Sequence, residues 1–174
     1  MYAHALMWGL LVLPWISLFF LNPASIRRFM PVSIFAALLV TIVFEMAHAF
    51  RWWTILDKAI ILPWGYITNT AYTYGFFFIG TLWIFKFTFG RFWLFMLTNV
   101  VIDGLFQFGL DPLFARAGYY RFVNITHWQT FFIMVGIAVL LYLYQVWQEG
   151  SIKHQVKEQD DPLEIRVFER EKAR

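Results

Sequence analysis

The stretch LTNVVIDGLFQFGLDPLF, residues 97–114, decides the fold that the sequence predicts. Its polar residues Asn99, Asp103, Gln107 and Asp111 follow one another at intervals of four, which places them on one stripe of an α-helix. The residues between them are almost all apolar. A helix with one polar stripe and a carboxylate near its middle is typical of a membrane protein in which the stripe faces protein or water.

The composition of the whole chain also indicates a membrane protein. Of its 174 residues, 60% are hydrophobic and 14% are charged, whereas a soluble domain is about half apolar and a quarter charged. Charged residues become dense only from Glu149 onward. We therefore predict an all-α fold, a polytopic membrane helix bundle over residues 1–148, followed by a charged cytoplasmic tail over residues 149–174.

Two further counts exclude classes of function. The chain contains no cysteine, so disulfides, thiolate metal sites and cysteine nucleophiles are excluded. The net charge of +3 comes without a long basic cluster, so nothing indicates binding to nucleic acid.

Five apolar runs are long enough to cross a hydrocarbon core, which takes about 20 helical residues. Short links between them predict antiparallel neighbours. Segment 51–66 is rich in Trp and too apolar for a free loop, so we expect an interfacial or re-entrant helix that ends near Pro63. Thr126 and Gln129 have the spacing of a capping box at the start of the fifth helix. The predicted membrane helices cover residues 3–21, 29–50, 69–89, 91–114 and 128–147.

The distribution of Lys and Arg predicts the orientation. Ten of the 14 lie on the side that contains Arg27, Arg28, Lys86 and the tail. Because cytoplasmic segments carry the excess of Lys and Arg, the N-terminus is predicted outside and the C-terminus inside.

Polar residues from several helices fall at one level of this bundle, in its outer half. Glu45 and His48 are spaced i, i+3 and share a face of the second helix. Asp111 directly precedes Pro112, and we expect it at the rim, outside the core of the site. The expected site is a pocket between the second, third, fourth and fifth helices. Its candidate ligand-binding residues are Glu45, His48, Asn69, Asn99, Asp103, Gln107 and His127.

Four interpretations of this cluster remain open. The mixture of aromatic and amide groups suits a small amphipathic ligand, and the carboxylates suit a cation or a transport-coupled proton. Glu45, His48 and Asp103, together with His127, could instead hold a metal ion for a membrane hydrolase with Glu45 as base. The same groups could simply join helices through hydrogen bonds, in a structural or partner-binding subunit.

No sequence motif favours an enzyme. GxSxG, HExxH, Walker and GxGxxG motifs are absent from the sequence, and no residue pattern names a cofactor. The partners that we expect are the lipid bilayer, a small hydrophobic or cationic ligand, and a second copy or another membrane subunit that completes so small a bundle.

Two stretches carry a resemblance to a known group. They are NPASIRRFMPVSIFAALLVTIVFEMAHAFRWW and GTLWIFKFTFGRFWLFMLTNVVIDGLFQF. Their arginine-rich entry into the second helix and the Asn and Asp of the fourth resemble small, uncharacterised multi-helix membrane proteins of endospore-forming Firmicutes. The resemblance implies a bacterial plasma membrane and assigns no activity or binding residue.

Overall fold

The structure is a computed structural model that describes residues 2–159, with side chains described for residues 4–150. The chain is mostly helical, at 78%, which confirms the prediction of a helical fold. Most of the predicted tail, from residue 160 onward, lies outside the described residues.

Five helical segments and two short strands make up the described chain. The first segment is α1 (Tyr2–Ile16), which a 3-10 turn (Ser17–Phe20) continues, and the second is α2 (Pro23–Ala49). The third is α3 (Phe78–Thr88), preceded by the first π segment (Tyr72–Phe77). The fourth joins α4 (Phe92–Leu105) through the second π segment (Phe106–Leu110) to α5 (Asp111–Arg116), and the fifth is α6 (His127–Gln159). The strands are β1 (Trp53–Ile55) and β2 (Tyr120–Phe122).

Three of these segments are long and apolar enough to cross a membrane. They are Pro23–Ala49, Phe92–Arg116 and His127–Gly150. The first segment is also apolar over His4–Phe20 but shorter.

The chain divides into two compact units, Met1–Leu141 and Tyr142–Arg174. The first unit holds the helices and strands described below, up to the middle of α6. In the second unit, the described residues continue α6, and Gln145 donates a hydrogen bond of 3.3 Å from Nε2 to Glu149 one turn later.

The second helix begins at Pro23, six residues before the apolar run that predicted it. Asn22 is its N-cap, and the side-chain Oδ1 of Asn22 accepts a hydrogen bond of 2.9 Å from the Ala24 N–H. Proline is favoured in the first turn, where its missing N–H is not needed. The extra turns carry Arg27 and Arg28, which hydropathy alone assigned to a loop.

Small residues let α2 pack closely against α3. Ala36, Ala37 and Val40 of α2 are buried, as are Ile79 and Leu82 of α3. At the end of the first unit near Arg28, three aromatic rings fill the core, with Phe85 4.7 Å from Phe95 and 6.0 Å from Phe29 between ring centroids.

The backbone of α1 crosses the first π segment at Gly75. A Cβ at this position would collide with the carbonyl oxygen of Leu10 and would lie 2.6 Å from Leu11 Cα. Trp15 fixes the same crossing from α1, because its indole N–H donates a 2.9 Å hydrogen bond to the Tyr74 carbonyl. Its ring also stacks on Phe78 at 5.4 Å.

Segment 51–66 is not a helix, so the expectation of an interfacial or re-entrant helix was wrong. It contains β1 and a short 3-10 turn (Asp57–Ala59), and β1 pairs antiparallel with β2 from the connection after α5. The pairs are Trp53 with Phe122, Thr54 with Arg121, and Ile55 with Tyr120. We call these two strands the strand cap. A helix that began at Trp52 would have only about three turns before Pro63, and an isolated helix of that length is marginally stable. The backbone N–H and C=O groups of this segment are satisfied instead by pairing with β2.

The capping box is confirmed. The Thr126 N–H donates to Gln129 Oε1 at 2.9 Å, and the Gln129 N–H donates to Thr126 Oγ1 at 3.3 Å. The fifth helix accordingly begins at His127.

The crossing at Gly75 gives a direct test of the fold. We expect Gly75→Ala to lower the free energy of unfolding by about 1–3 kcal/mol, as overpacking does, because the backbone of α1 must move away. Gly80→Ala is the matched control in α3, since a Cβ there meets nothing within 4 Å. Thermal unfolding of the purified protein measures both, and equal midpoints for the two variants would contradict the crossing.

Candidate functional site

A cavity of about 190 Å³ lies beneath the strand cap, within the first unit. All five helical segments contribute to its wall, and most of the lining is apolar or aromatic. One lining residue from each helical segment is Leu10, Val43, Phe76, Phe106 and Met134, and the strand cap adds Trp53, Ile55, Tyr120 and Phe122. The cavity therefore includes the first helix, which the sequence-based prediction left out.

The cavity has a polar end at Gln107 and Asp111, both of which line it and are buried, with 3% and 5% of their surface exposed. Gln107 Nε2 donates a 2.6 Å hydrogen bond to Asp111 Oδ2, and the same nitrogen lies 3.2 Å from His127 Nδ1. The Tyr120 hydroxyl donates to the Asp111 carbonyl oxygen at 2.9 Å. Three parts of the chain thus hold this end of the cavity in place.

Asp111 belongs to the core of the site, so the expectation that it sits at the rim was wrong. The helix does not end before Pro112. The second π segment precedes the proline and α5 continues after it, to Arg116. Proline has no N–H for the Phe108 carbonyl and would clash with it in a regular α-helix. A π turn just before the proline relieves that conflict, and the chain stays helical with Asp111 one turn beyond Gln107.

The two π segments face each other across the cavity. Tyr72 of the first lies 5.1 Å from Phe106 of the second between ring centroids, and Phe76 lies 6.5 Å from the same ring. Single π turns inside α-helices occur frequently at functional sites. Here each π turn is in the part of its helix that lines the cavity.

Asp103 lies near the cavity but does not line it. It is half-buried. Of the predicted stripe on the fourth helix, only Gln107 and Asp111 reach the cavity wall.

Glu45 and His48 point away from the cavity, so the structure does not bring them to the site. Both are exposed, whereas Phe44 and Ala47 on the other face of α2 are buried. The nearest aromatic neighbour of His48 is Tyr66, at 6.3 Å between ring centroids. Both residues also fall in the last turn and a half of α2, which a membrane span of about 20 residues leaves near the interface.

The other predicted residues are divided. Asn69 lines the cavity, and its Oδ1 accepts a 3.2 Å hydrogen bond from the Tyr72 N–H. His127 contacts Gln107 from behind, is half-buried, and packs against the Phe122 ring at 4.4 Å. Asn99 bonds within its own helix, from Nδ2 to the Phe95 carbonyl at 2.8 Å. Two of the seven predicted residues thus line the cavity, and a third supports it.

The pairing of the two strands in the strand cap was missed. The only signal in the sequence was alternation, Trp-Thr-Ile at residues 53–55 and Tyr-Arg-Phe at residues 120–122. Thr54 and Arg121 are exposed, while their neighbours on both strands line the cavity. Three alternating residues are too few to predict a strand, and the partner strand lies far along the chain.

The metal-site interpretation lacks a cluster of ligands. Among the residues that the structure describes, no three of the types His, Cys, Asp and Glu come together as ion ligands. Glu45 and His48 are on the exposed face of α2, away from Asp103 and His127, so the proposed ligand set is not assembled.

Comparison with known proteins adds no relative. No family model matches the sequence, and comparison with curated proteins and with solved structures gave no match. The resemblance to the Firmicutes membrane proteins therefore stays a prediction.

The Tyr120 hydroxyl tests how the polar end is held. We expect Tyr120→Phe to lower the free energy of unfolding by about 0.5–1.5 kcal/mol, because it removes one intramolecular hydrogen bond to a half-buried carbonyl. Tyr66→Phe is the control, since the exposed Tyr66 hydroxyl makes no hydrogen bond within the described residues. If the thermal midpoint of Tyr120→Phe matched that of the control, this hydrogen bond would make no contribution to stability.

Proposed function

We propose that the protein is a multi-pass protein of the plasma membrane that binds a small amphipathic ligand in the cavity beneath the strand cap. One observation carries this proposal: an aromatic cavity formed by all five helical segments ends at two buried polar side chains, Gln107 and Asp111. Ligand pockets are typically apolar and have a few converging polar groups that fix orientation.

The size of the cavity limits the ligand. An apolar cavity of about 150 Å³ is enough to hold benzene, and this one measures about 190 Å³. The enclosed part of a ligand would therefore be one ring with a short polar substituent, or a comparable length of chain. A larger molecule would extend beyond the cavity.

Access from the side supports a ligand that is dissolved in the bilayer. Phe76 and Leu110 line the cavity and yet have 40% and 47% of their surface exposed. They belong to the two π segments, so this part of the cavity wall also faces the outer surface. A molecule in the membrane could enter there without passing the strand cap.

The level of the cavity suits an amphipathic molecule. Its lining residues begin at the helix ends next to the strand cap and extend about six to ten residues along them, which is about 10–15 Å of helix. The hydrocarbon core is about 30 Å thick, so the cavity occupies one half of it, near the interface where Trp and Tyr side chains are favoured.

The proposed orientation depends on the six Lys and Arg of residues 149–174, because the two ends of the bundle carry four each, with Arg51, Lys58, Arg116 and Arg121 near the strand cap. Arg27, Arg28, Lys86 and Arg91 lie near the start of α2 and the turn between α3 and α4. With this end in the cytoplasm, the cavity lies in the outer half of the membrane and the N-terminus outside.

Filling the cavity tests the site of binding. We expect phenethyl alcohol, an uncharged amphiphile with one ring, to raise the midpoint of thermal unfolding of the wild type. At ten times its Kd, a ligand stabilises by about 1.4 kcal/mol. Val43→Phe, which places a ring in the cavity, should remove this shift.

Val101→Phe is the matched control, because Val101 is exposed and lies outside the cavity lining. It keeps the same protein, detergent and solute while leaving the cavity open. The proposal is wrong if Val43→Phe folds and keeps the full shift, or if the wild type shows no shift with phenethyl alcohol or with an amine or carboxylate of the same size. The second result would favour a structural or partner-binding subunit.

Single cysteines test the orientation, since the natural chain has none. In intact cells we expect a membrane-impermeant maleimide to label Asn124→Cys, next to the strand cap. It should label Ser151→Cys in the tail only after the cells are permeabilised. The reverse pattern would place the cavity in the cytoplasmic half and would leave the binding proposal unchanged.

A further inference from the structure

The polar end of the cavity offers hydrogen-bond acceptors whose protein donors are missing. Every side-chain contact of Asp111 engages Oδ2, so Oδ1 accepts no hydrogen bond from the described residues. Gln107 directs its amide nitrogen at Asp111 and His127, which leaves its carbonyl Oε1 without a described donor. Both side chains are more than nine-tenths buried and line the cavity.

Two hydroxyl donors at this end are already used. The Tyr120 hydroxyl donates to the Asp111 carbonyl, and the Thr130 hydroxyl donates to the Thr126 carbonyl at 3.2 Å. With His127 Nδ1 as an acceptor, the two N–H bonds of the Gln107 amide donate to Asp111 and His127. The Asn69 amide N–H₂ and the Tyr72 hydroxyl also line the cavity and have no acceptor among the described residues, but both belong to the segment that leads into α3.

The ionisable lining residues carry one sign of charge, and His127 Nδ1 lies behind them, 3.8 Å from Asp111 Oδ2. No Lys or Arg is among the lining residues, and Asp111 is their single acid. An anionic group would meet an acid and unshared acceptor oxygens here, which disfavours carboxylate and phosphate ligands.

We propose that the ligand carries a protonated amino group, which donates to Asp111 and Gln107 while its apolar part lies among the aromatic rings. An ammonium group supplies both the missing N–H donors and the countercharge. Tyr72, Phe106 and Tyr120 line the cavity together with Asp111, and aromatic faces attract cations. This inference rests on the proposed ligand-binding function and narrows it to one class of molecule.

Three probes of nearly equal size and different charge test the inference. They are phenethylamine, phenethyl alcohol and phenylacetate, each titrated against the purified full-length protein in nanodiscs at neutral pH. We expect the amine to bind at least about tenfold more tightly than the alcohol, because its hydrogen bonds to Asp111 are charge-assisted. Phenylacetate should show no saturable binding.

Two variants locate the preference. Asp111→Asn keeps the shape of the side chain and its acceptor for Gln107, and should bring the amine to within about threefold of the alcohol. Glu45→Gln is the control. It removes an exposed carboxylate that lies near the end of α2 and faces away from the cavity, and it should leave the preference for the amine unchanged. The nanodisc lipid is the same throughout, so partition into the bilayer affects all variants alike.

The outcomes separate the two proposals. If the alcohol or phenylacetate binds the wild type as tightly as the amine, the amine inference fails while ligand binding in the cavity stands. If Glu45→Gln and not Asp111→Asn removes the preference, the inference also fails. If none of the three probes binds, the proposed function itself fails. The comparison of probes on the wild type needs no variant, so an Asp111→Asn protein that does not fold leaves the test decisive.

Discussion

The contact between the backbone of α1 and Gly75 positions the rest of the cavity. Only a residue without a side chain lets Leu10 and Leu11 approach the first π segment so closely. This approach brings Leu10 and Met7 to the cavity wall, opposite residues of the fourth segment. In a membrane, where the hydrophobic effect does not hold helices together, close packing at small residues is a main source of association. The crossing at Gly75 is therefore both a structural contact and the reason that the first helix shares in the site.

The π segments interrupt the regular α-helical hydrogen-bond pattern, and nearby residues compensate for the interruption. At the first, Trp15 donates its indole N–H to the Tyr74 carbonyl. At the second π segment, Pro112 has no N–H to donate to the Phe108 carbonyl. The π turn therefore lies where one α-helical hydrogen bond is absent anyway. A membrane interior tolerates irregular backbone where it is buried in protein or lines a cavity. Both irregular turns line the cavity, which fits a site built into the helices and not into loops.

The sequence predicted the helices and part of the site because those features depend on local patterns. Apolar runs of about 20 residues, the spacing of Thr126 and Gln129, and the stripe from Asp103 to Asp111 can all be read from neighbouring residues. The Glu45 and His48 prediction was different. Their spacing shows that they share a face, but only packing decides which face of α2 turns inward, and Phe44 and Ala47 occupy it.

Two other errors have the same origin. Asp111 was placed at the rim because a regular helix cannot pass through Pro112, and sequence periodicity does not foresee a π turn that allows it. The strand cap was missed because Trp53 and Phe122 pair although they lie 69 positions apart in the chain. Each strand is stable only when it is paired with the other, because neither is long enough to be stable alone.

The strand cap closes one end of the cavity with paired backbone. Two connections that cover an apolar cavity must satisfy their own backbone, and they do so through each other: the Leu56 N–H donates to the Tyr119 carbonyl, and the Val123 N–H donates to the Trp52 carbonyl. Pairing fixes the alternation, so Thr54 and Arg121 face outward while their neighbours line the cavity. Lys58 adds a 2.8 Å hydrogen bond to the Ala117 carbonyl. Opening this end would break several of these bonds at once, which favours entry of the proposed ligand through another part of the wall.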